Sequence, residues 1–273
     1  MPELPEIEQV RKTLKPHIVN KMVKHVDIRL PRMIKHPAPE NFADILVGQS
    51  VRELKRRGKY LIIEFNTNLR LVIHLRMTGA LVAADSDAAE PPYAKVRFDL
   101  TGDKTLWFCD IRTFGTMHLI VNDDISLPGL EKLGPEPGSS EFSAEYLEKI
   151  VKNRTGAIKG VLLNQEAVAG LGNIYVDEAL AQAGILPQKP ARSLSRKELK
   201  ELVASVNKVI RQGIKNRGTT FRNYVDGNGT QGTNQHHLLV YGRKGQPCKK
   251  CGRELIGTKV AGRGTTYCAN CQR

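Results

Sequence analysis

CKKCGRELIGTKVAGRGTTYCANC (residues 248–271) contains two C-x₂-C pairs separated by sixteen residues, and this pattern decides how the end of the chain folds. Two tight turns that each offer two thiolates match the closed tetrahedral coordination of structural zinc. A sulfur-bound iron centre and two disulfides are the alternatives that the spacing leaves open. Because disulfides are rare in cytosolic proteins, we expect one structural zinc ion with no catalytic role. Its four ligands would be Cys248, Cys251, Cys268 and Cys271.

The segment around these cysteines is strongly basic. Residues 243–273 hold eight Lys or Arg against a single acid, Glu254, and the whole chain has a net charge of +14 and a pI near 9.6. Such an excess favours polyanionic partners, nucleic acid or anionic lipid, although a solvated basic surface is the simpler alternative. A hairpin held by the metal would carry Arg263 at its tip, where it could grip phosphate.

The first half of the chain has a different pattern. A helix is predicted from Pro5 to Lys15, with Pro16 ending it. Six β-rich runs follow without an intervening helical period, which predicts an antiparallel sandwich or barrel. The runs are VKHVDIRL, KYLIIEF, RLVIHLR, KVRFDL, TLWFCD and TMHLI. Cys109, in the fifth run, is interpreted as a small buried apolar residue.

A Pro-, Gly- and Ser-rich stretch, residues 126–142, marks the expected domain boundary. Beyond it the periodicity is helical, and the clearest helix begins at a capping box formed by Ser195 and Glu198. Residues 217–235 contain four glycines and no apolar period, which predicts a flexible loop, either a linker or a lid.

A Gly-rich turn, Gly170–Leu171–Gly172, separates two of these helices, and Asn173 is the predicted N-cap of the second. Free N–H groups at such a helix start bind anions, so this turn is a candidate phosphate site. Arg154 and Lys159, one helix earlier, are expected to clamp the same phosphate backbone.

Targeting signals and membrane spans are not expected in this chain. No apolar run approaches the roughly 18–20 residues of a membrane helix. Glu3, Glu6 and Glu8 stand where a secretory signal needs a basic start. The expected location is therefore the cytoplasm.

Several of these stretches together resemble the bacterial formamidopyrimidine-DNA glycosylase family over essentially the whole chain. The matching motifs are PELPEIE, RRGKYL, HLRMTG, DIRTFGT, GPEP, VAGLGNIYVDEAL, QHHLLVYGR and the four-cysteine finger. The resemblance implies an α+β protein of two domains: an N-terminal antiparallel β-sandwich flanked by helices, and a helix–two-turn–helix domain with the zinc finger. DNA would lie in the cleft between them. The corresponding boundaries are 1–130 for the sandwich, 131–145 for a linker, 146–236 for the helical domain with a lesion-capping loop, and 237–273 for the finger.

The family resemblance also implies the reaction: excision of oxidised purines from duplex DNA, followed by nicking of the abasic strand. Pro2 would be the nucleophile once Met1 is removed, because it then becomes a secondary amine. Glu3 and Lys59 would move protons, and Arg263 would contact phosphate and assist the later elimination.

Further DNA contacts follow from the same resemblance. Met77, Arg112 and Phe114 would fill the gap left by the extruded nucleotide. The remaining expected contacts are Tyr93, which also follows from the resemblance, and Arg154, Lys159 and Asn173, which follow from the Gly-rich turn described above. The protein would act as a monomer in the bacterial cytoplasm, on the nucleoid when bound to duplex DNA containing oxidised bases or abasic sites.

The chain departs from the family pattern at four positions, which we expect to adjust affinity or lesion preference. These are Thr78, Tyr93, Lys95 and Thr113. Two alternatives stay open: an endonuclease VIII-like glycosylase for oxidised pyrimidines, and a non-catalytic damaged-DNA-binding protein. Leu4 argues against the first, where glycine is usual, and the joint presence of Pro2, Glu3 and Lys59 argues against the second.

Overall fold

The computed structural model describes all residues, 1–273. Contacts divide the chain into two compact units: an N-terminal unit of residues 1–131 and 216–235, and a C-terminal unit of residues 132–215 and 236–273. The helices are α1 (Leu4–Ile18), α2 (Pro39–Leu46), α3 (Pro128–Glu131), α4 (Ala144–Val151), α5 (Ile158–Leu163), α6 (Asn173–Ala183) and α7 (Arg196–Lys215). The strands are β1 (Val23–Ile28), β2 (Ile34–His36), β3 (Val51–Arg57), β4 (Tyr60–Phe65), β5 (Leu69–His74), β6 (Gly79–Asp85), β7 (Ala94–Leu100), β8 (Lys104–Asp110), β9 (Thr116–Val121), β10 (Ile256–Val260) and β11 (Arg263–Tyr267).

The N-terminal unit is the predicted β-sandwich. One sheet has the order β1-β7-β8-β6 and the other β2-β9-β5-β4-β3. All pairs are antiparallel except the short edge pair β2–β9. Buried side chains from both sheets and from α1, such as Leu14, Leu71 and Phe108, belong to one apolar core. All six predicted runs are strands, while β2, β3, β6 and the short helix α2 were not predicted.

Helix α1 is longer than predicted, because Pro16 lies inside it. The helix continues to Ile18. Proline fits a helical φ, and in the last turn it removes only one backbone hydrogen bond. Ile18 is almost fully buried, so packing keeps the final turn in place. At the other end, Glu3 is the N-cap residue and Pro5 lies in the first turn, where its missing N–H costs nothing.

The C-terminal unit consists of four helices and the β10–β11 hairpin. Helix α6 packs on α7 so closely that a side chain at Gly213 would overlap Tyr175, which is fully buried. The capping box of α7 is confirmed: Ser195 N–H donates to Glu198 Oε2 at 2.9 Å, and Glu198 N–H donates to Ser195 Oγ at 3.3 Å.

The glycine-rich loop belongs to the N-terminal unit, whereas the sequence assigns it to the helical domain. Residues 216–235 group with the sandwich because their hydrogen bonds go there. Gly227 N–H donates to Thr13 Oγ1 of α1 at 2.8 Å, and the Gly227 carbonyl accepts from Ala83 N–H of β6 at 2.9 Å. A side chain at Gly227 would collide with Leu14.

Among all the helices, none has the length and apolar character that crossing a bilayer requires.

Candidate nucleic-acid interface and metal centre

The start of the chain is buried in the N-terminal unit. Pro2 and Glu3 are buried, while Met1 remains 52% exposed. Glu6 lies one helical turn on and is 2% exposed. Its carboxylate accepts from Glu3 N–H at 2.9 Å and from Thr219 N–H at 2.7 Å. Glu6 therefore fixes the backbone next to Pro2 and the base of the glycine-rich loop at the same time.

Tyr224 makes a second connection between this loop and α1. Its hydroxyl lies 3.3 Å from the carbonyl oxygen of Glu6 and 3.1 Å from that of Arg217, and its proton serves either acceptor. Burial, with the nearby Glu6 and Asp226 carboxylates, raises the pKa of Tyr224 well above its usual range. The hydroxyl therefore stays protonated and remains a donor at any physiological pH.

Lys59 lies in the turn between β3 and β4, one residue before the strand on which the sequence places it. Gly58 supplies the left-handed conformation of that turn, and Lys59 is only 6% exposed. The residue that follows it, Tyr60, pairs across the sheet with His74. The edge of one ring meets the other at a centroid distance of 4.7 Å.

His74 is a buried polar residue for which no role was predicted. Burial, followed by the charges of Arg76 and Lys59, lowers its pKa from 6.5 to about 3. The imidazole is therefore neutral, and its Nδ1 accepts from Arg76 N–H at 3.0 Å, which leaves the proton on Nε2. The HLRMTG motif contained this residue, but only its burial beside Lys59 distinguishes it from an ordinary strand histidine.

Three exposed side chains from two loops come together at one end of the sandwich; we call Met77, Arg112 and Phe114 the wedge. The Arg112 guanidinium lies 4.8 Å from the Phe114 ring centroid, and its Nη1 is 2.9 Å from Met77 Sδ. Met77 is 44% and Phe114 is 51% exposed. Apolar residues this exposed have no core to fill, which supports an interaction role.

Asp110, at the end of β8, holds both wedge loops. Its carboxylate accepts from Thr78 Oγ1 at 2.5 Å, from Arg112 N–H at 3.2 Å and from Gly115 N–H at 2.8 Å. Thr78 Oγ1 in turn accepts from Arg112 N–H at 3.0 Å. The departure at Thr78 thus has a structural use, because its hydroxyl joins the two loops.

The other three departures lie at or beside the surface. Tyr93 is 56% exposed in the turn just before β7, and Lys95 is half-buried on that strand. Thr113 adopts a φ of 57°, a conformation that β-branched residues rarely take, and its hydroxyl accepts from Arg32.

The four predicted cysteine ligands converge in the C-terminal unit. Their sulfur atoms all lie within 4.8 Å of one another, and the Cys248–Cys271 and Cys251–Cys268 pairs are 4.0 and 3.5 Å apart. Tetrahedral coordination with Zn–S bonds of 2.3 Å needs sulfurs about 3.8 Å apart, so the donors fit zinc. Gly252, at φ 77°, turns the chain after the second ligand. Cys109 lies on β8 of the N-terminal unit and is not part of this cluster, and burial raises the pKa of its thiol to about 11.

The zinc finger presents a two-stranded hairpin, β10 and β11, joined by Ala261 and Gly262; we call this the finger hairpin. Both turn residues have positive φ, as a tight two-residue turn requires. Arg263 follows the turn and is exposed, as predicted for the tip.

Lys159 does not fit the expected role of gripping phosphate. It is 0% exposed, and its Nζ donates to Asp177 Oδ1 at 2.7 Å, to the Gly264 carbonyl at 3.0 Å and to Thr265 Oγ1 at 2.8 Å. Burial raises the pKa of Asp177 to about 6, and the attraction of Lys159 opposes this shift. Lys159 therefore fastens the finger hairpin to α5 and α6, directly behind Arg263.

Asn173 is the first residue of α6 and not its N-cap, which is Gly172. The Asn173 side chain donates from Nδ2 to the Gly264 carbonyl at 2.8 Å. Helix start and hairpin together line an open cavity of about 490 Å³, shared with Tyr241 and Lys244. Arg154 is exposed in the α4–α5 connection and is not part of this cavity.

Glu178 is a second buried carboxylate that the sequence did not single out. It accepts three consecutive backbone donors: Leu239 N–H at 2.6 Å, and Val240 N–H and Tyr241 N–H at 2.8 Å each. Burial raises its pKa, while the three donors lower it. Glu178 thereby fixes the segment that places Tyr241 at the cavity.

Comparison with known proteins gives one consistent result along the chain. The sequence models of the formamidopyrimidine-DNA glycosylase N-terminal domain, its H2TH domain, and the zinc finger found in FPG and IleRS match residues 1–117, 133–224 and 245–273. The formamidopyrimidine-DNA glycosylase of Geobacillus kaustophilus is 47% identical and that of Desulforamulus reducens 46%. The alignment covers all of this chain in both cases, with 100% and 99% of the respective relatives.

Solved structures agree with the sequence comparison. A complex of Lactococcus lactis Fpg with DNA containing an abasic site superimposes with a TM-score of 0.92 at 38% identity, covering 99% of both chains. A complex of a mutant of the same protein with DNA containing Fapy-dG superimposes with a TM-score of 0.92 at 38% identity, and the match covers 100% of both chains. With matching domains in order and full-length relatives above 40% identity, the chain belongs to the formamidopyrimidine-DNA glycosylase family.

Proposed function

We propose that this chain is a base-excision-repair glycosylase and AP lyase that removes oxidised purines from duplex DNA. The buried group Pro2–Glu3–Glu6 carries the proposal, because it holds the chain's second residue rigidly at the start of α1. Solved relatives in complex with abasic-site and Fapy-dG DNA support the substrate class.

The chemistry begins at the Pro2 nitrogen. With Met1 removed, it is a secondary amine, and α-amino groups have pKa values near 8, so a useful fraction is unprotonated at neutral pH. The nitrogen lone pair attacks C1′ of the damaged nucleotide, and the bond to the base breaks with the base taking the electron pair and a proton. Opening of the sugar gives an iminium at C1′, which acidifies C2′ and allows the 3′ and then the 5′ phosphate to leave. With Met1 attached, the nitrogen is an amide and the protein should be inert.

The other residues of the site transfer protons, fill the space of the extruded nucleotide or bind DNA. Glu3 and Lys59 transfer protons at the sugar, and both are nearly buried, where a fixed donor or acceptor is most effective. The wedge fills the space left by the extruded nucleotide. The remaining DNA contacts are assigned to Tyr93, Arg154, Asn173 and Arg263.

Lys159 and zinc have positioning roles in this proposal. Zinc, held by the four cysteines, folds the finger and takes no part in the chemistry. Lys159 holds Gly264 and Thr265, so that Arg263 points outward from a fixed backbone. We place the protein in the bacterial cytoplasm as a monomer.

Borohydride trapping tests the proposal. Protein whose Met1 has been removed, verified by intact mass, is incubated with an 8-oxoguanine duplex and borohydride, which reduces the iminium to a stable protein–DNA adduct. We expect an adduct with this protein, a lower yield with Pro2→Gly, and none when Met1 is retained. Lys12→Gln, an exposed change on α1, is the matched control and should trap fully.

Three outcomes would contradict the proposal. Absence of any adduct despite tight binding would favour a non-catalytic binder. A full yield with Pro2→Gly would move the nucleophile elsewhere. Preferential trapping by a duplex containing an oxidised pyrimidine would favour the endonuclease VIII-like alternative.

A further inference from the structure

We propose that the exposed face of α7 is a second binding surface for duplex DNA. Five cations form a row along this helix, which we call the basic stripe: Lys197, Lys200, Lys208, Arg211 and Lys215. They recur at helical spacing, and Ala204 fills the gap between the second and third. At 3.6 residues per turn they fall within an arc of roughly 80°.

The fold requires the basic stripe to face outward. The opposite side of α7 carries Leu199, Leu202, Val206 and Ile210, all buried against the rest of the C-terminal unit. All five cations of the stripe are exposed. The stripe is therefore a fixed surface of a packed helix.

No carboxylate neutralises the basic stripe. The ion pairs of the structure include one α7 cation, Arg196, which pairs with Glu145 at 3.3 Å, and none of the five. On α7 itself, the acid next to the stripe is Glu201, whose carboxylate accepts from Ser205 Oγ at 3.4 Å. Like charges three or four residues apart destabilise a helix by a few tenths of a kcal/mol per pair. Repulsion within the row of cations thus slightly destabilises the folded protein. A bound polyanion would relieve that repulsion.

The length and rigidity of the stripe favour duplex DNA as that polyanion. Lys197 and Lys215 are eighteen positions apart, which is about 27 Å along a helix. Duplex DNA carries one negative charge per roughly 1.7 Å of axis, so a row of this length spans about eight base pairs. An anionic membrane is disfavoured, because membrane-surface helices insert an apolar face, and the apolar face of α7 is already buried.

This surface is independent of the residues assigned to the lesion. None of the five cations belongs to the buried group Pro2–Glu3–Glu6, to the wedge or to the finger hairpin. Contacts along the stripe would be with phosphates and would not depend on base identity. The surface therefore suits undamaged duplex, held while another duplex occupies the lesion site.

A second-duplex binding experiment tests the proposal. The protein is first saturated with an unlabelled duplex that carries a tetrahydrofuran abasic analogue, and a labelled undamaged 20-base-pair duplex is then titrated by fluorescence anisotropy at several salt concentrations. The test variant is K200Q/K208Q/R211Q. The matched control, K12Q/K24Q/K35Q, removes the same charge from exposed lysines of the N-terminal unit.

We expect wild type and the control to bind the second duplex, and the test variant to bind it at least tenfold more weakly. The slope of log K against log salt should fall by about 2–3, since each lost phosphate contact contributes about 0.9. Single-turnover release of 8-oxoguanine from a short duplex should be unchanged in the variant. Far-UV circular dichroism and thermal melts verify that both triple variants are folded.

Equal second-duplex affinity in wild type and test variant would overturn the proposal, and so would an equal loss in the control. Stripe-dependent binding to phosphatidylglycerol vesicles in place of DNA would also overturn it. A protein that binds the second duplex but releases no base would contradict the proposed catalytic function and leave this inference standing.

Discussion

The wedge and the finger hairpin both present exposed residues from a backbone that buried polar groups hold in place. The wedge is supported locally: Asp110, between its two loops along the chain, accepts from both. The finger hairpin is supported from a distance, by Lys159 and Asp177 on α5 and α6 and by the four-cysteine metal site. Substitutions elsewhere in the chain should therefore leave the wedge in place. The finger hairpin should lose its structure when any one of its distant supports is removed.

Metal removal should separate the two surfaces most strongly. Chelation, or C251S/C271S, should unfold residues 245–273, because structural zinc supplies about 10–16 kcal/mol in zinc-finger peptides. DNA binding should then be lost. Trp107, the single tryptophan, lies on β8 in the N-terminal unit, so its fluorescence should not change. Cys109→Ser is the control and should retain zinc. If the hairpin amides of the metal-free protein are still protected from hydrogen exchange, the finger does not depend on zinc for its fold.

Breaking the buried ion pair should have the next largest effect. Lys159→Met leaves the Asp177 carboxylate buried without its cation, which costs about 3–5 kcal/mol of unfolding free energy. K159M/D177N removes both charges and keeps an acceptor for Thr266 N–H, so it should recover most of that loss. Denaturant unfolding measures both. Exposed Lys152→Met should change stability by less than about 0.5 kcal/mol, and an equally small change in Lys159→Met would contradict the positioning role.

Removing the wedge support should cost less. Asp110→Ala leaves the donors of Thr78 and Gly115 without their acceptor, at about 2–3 kcal/mol in the N-terminal unit. Melting followed by Trp107 fluorescence reports on that unit, and zinc content should stay at one ion. Asp87→Ala, at an exposed carboxylate, is the control. Loss of zinc in Asp110→Ala would show that the two supports are coupled.

Mild acid should give the smallest effect, again in the N-terminal unit. The pKa of His74 is about 3 in the folded chain and 6.5 when unfolded, so only the unfolded state takes up a proton as pH falls below 6.5. Its contribution to stability is complete above that pH, and about 1.4 kcal/mol is lost by pH 5.5. His74→Asn should flatten the Trp107-detected stability profile between pH 7 and 5.5, and an unchanged slope in this variant would contradict the assignment to His74. Burial also lowers the pKa of His118, so this residue should add to the slope in the same direction.

The order of strands and helices could largely be predicted, because alternating and helical periods survive in the sequence. The strands that were not predicted from the sequence have a composition that is atypical of strands. Strand β3, VRELKRR, is mostly charged, and β6, GALVAAD, is rich in glycine and alanine. Both are strands because neighbouring strands pair with them, an effect that no local pattern contains.

Site prediction succeeded where a short spacing determines the geometry and failed where distant residues meet. The C-x₂-C pairs identified the metal ligands without structural information. Lys159 was misread because lysine is normally exposed, and its partner Asp177 lies eighteen residues away. Glu178 and His74 were missed for the same reason, since only the fold shows that they are buried.

The glycine-rich loop gives the chain a constraint on the order of its own synthesis. The N-terminal unit needs residues 216–235, which bind α1 through Thr219 and Gly227, yet residues 132–215 leave the ribosome first. At 5–20 residues per second, the sandwich therefore waits roughly 5–20 s for its last piece. During that interval the start of α1 lacks its contact with the loop, so the nascent N-terminus is open to processing before the fold closes over it.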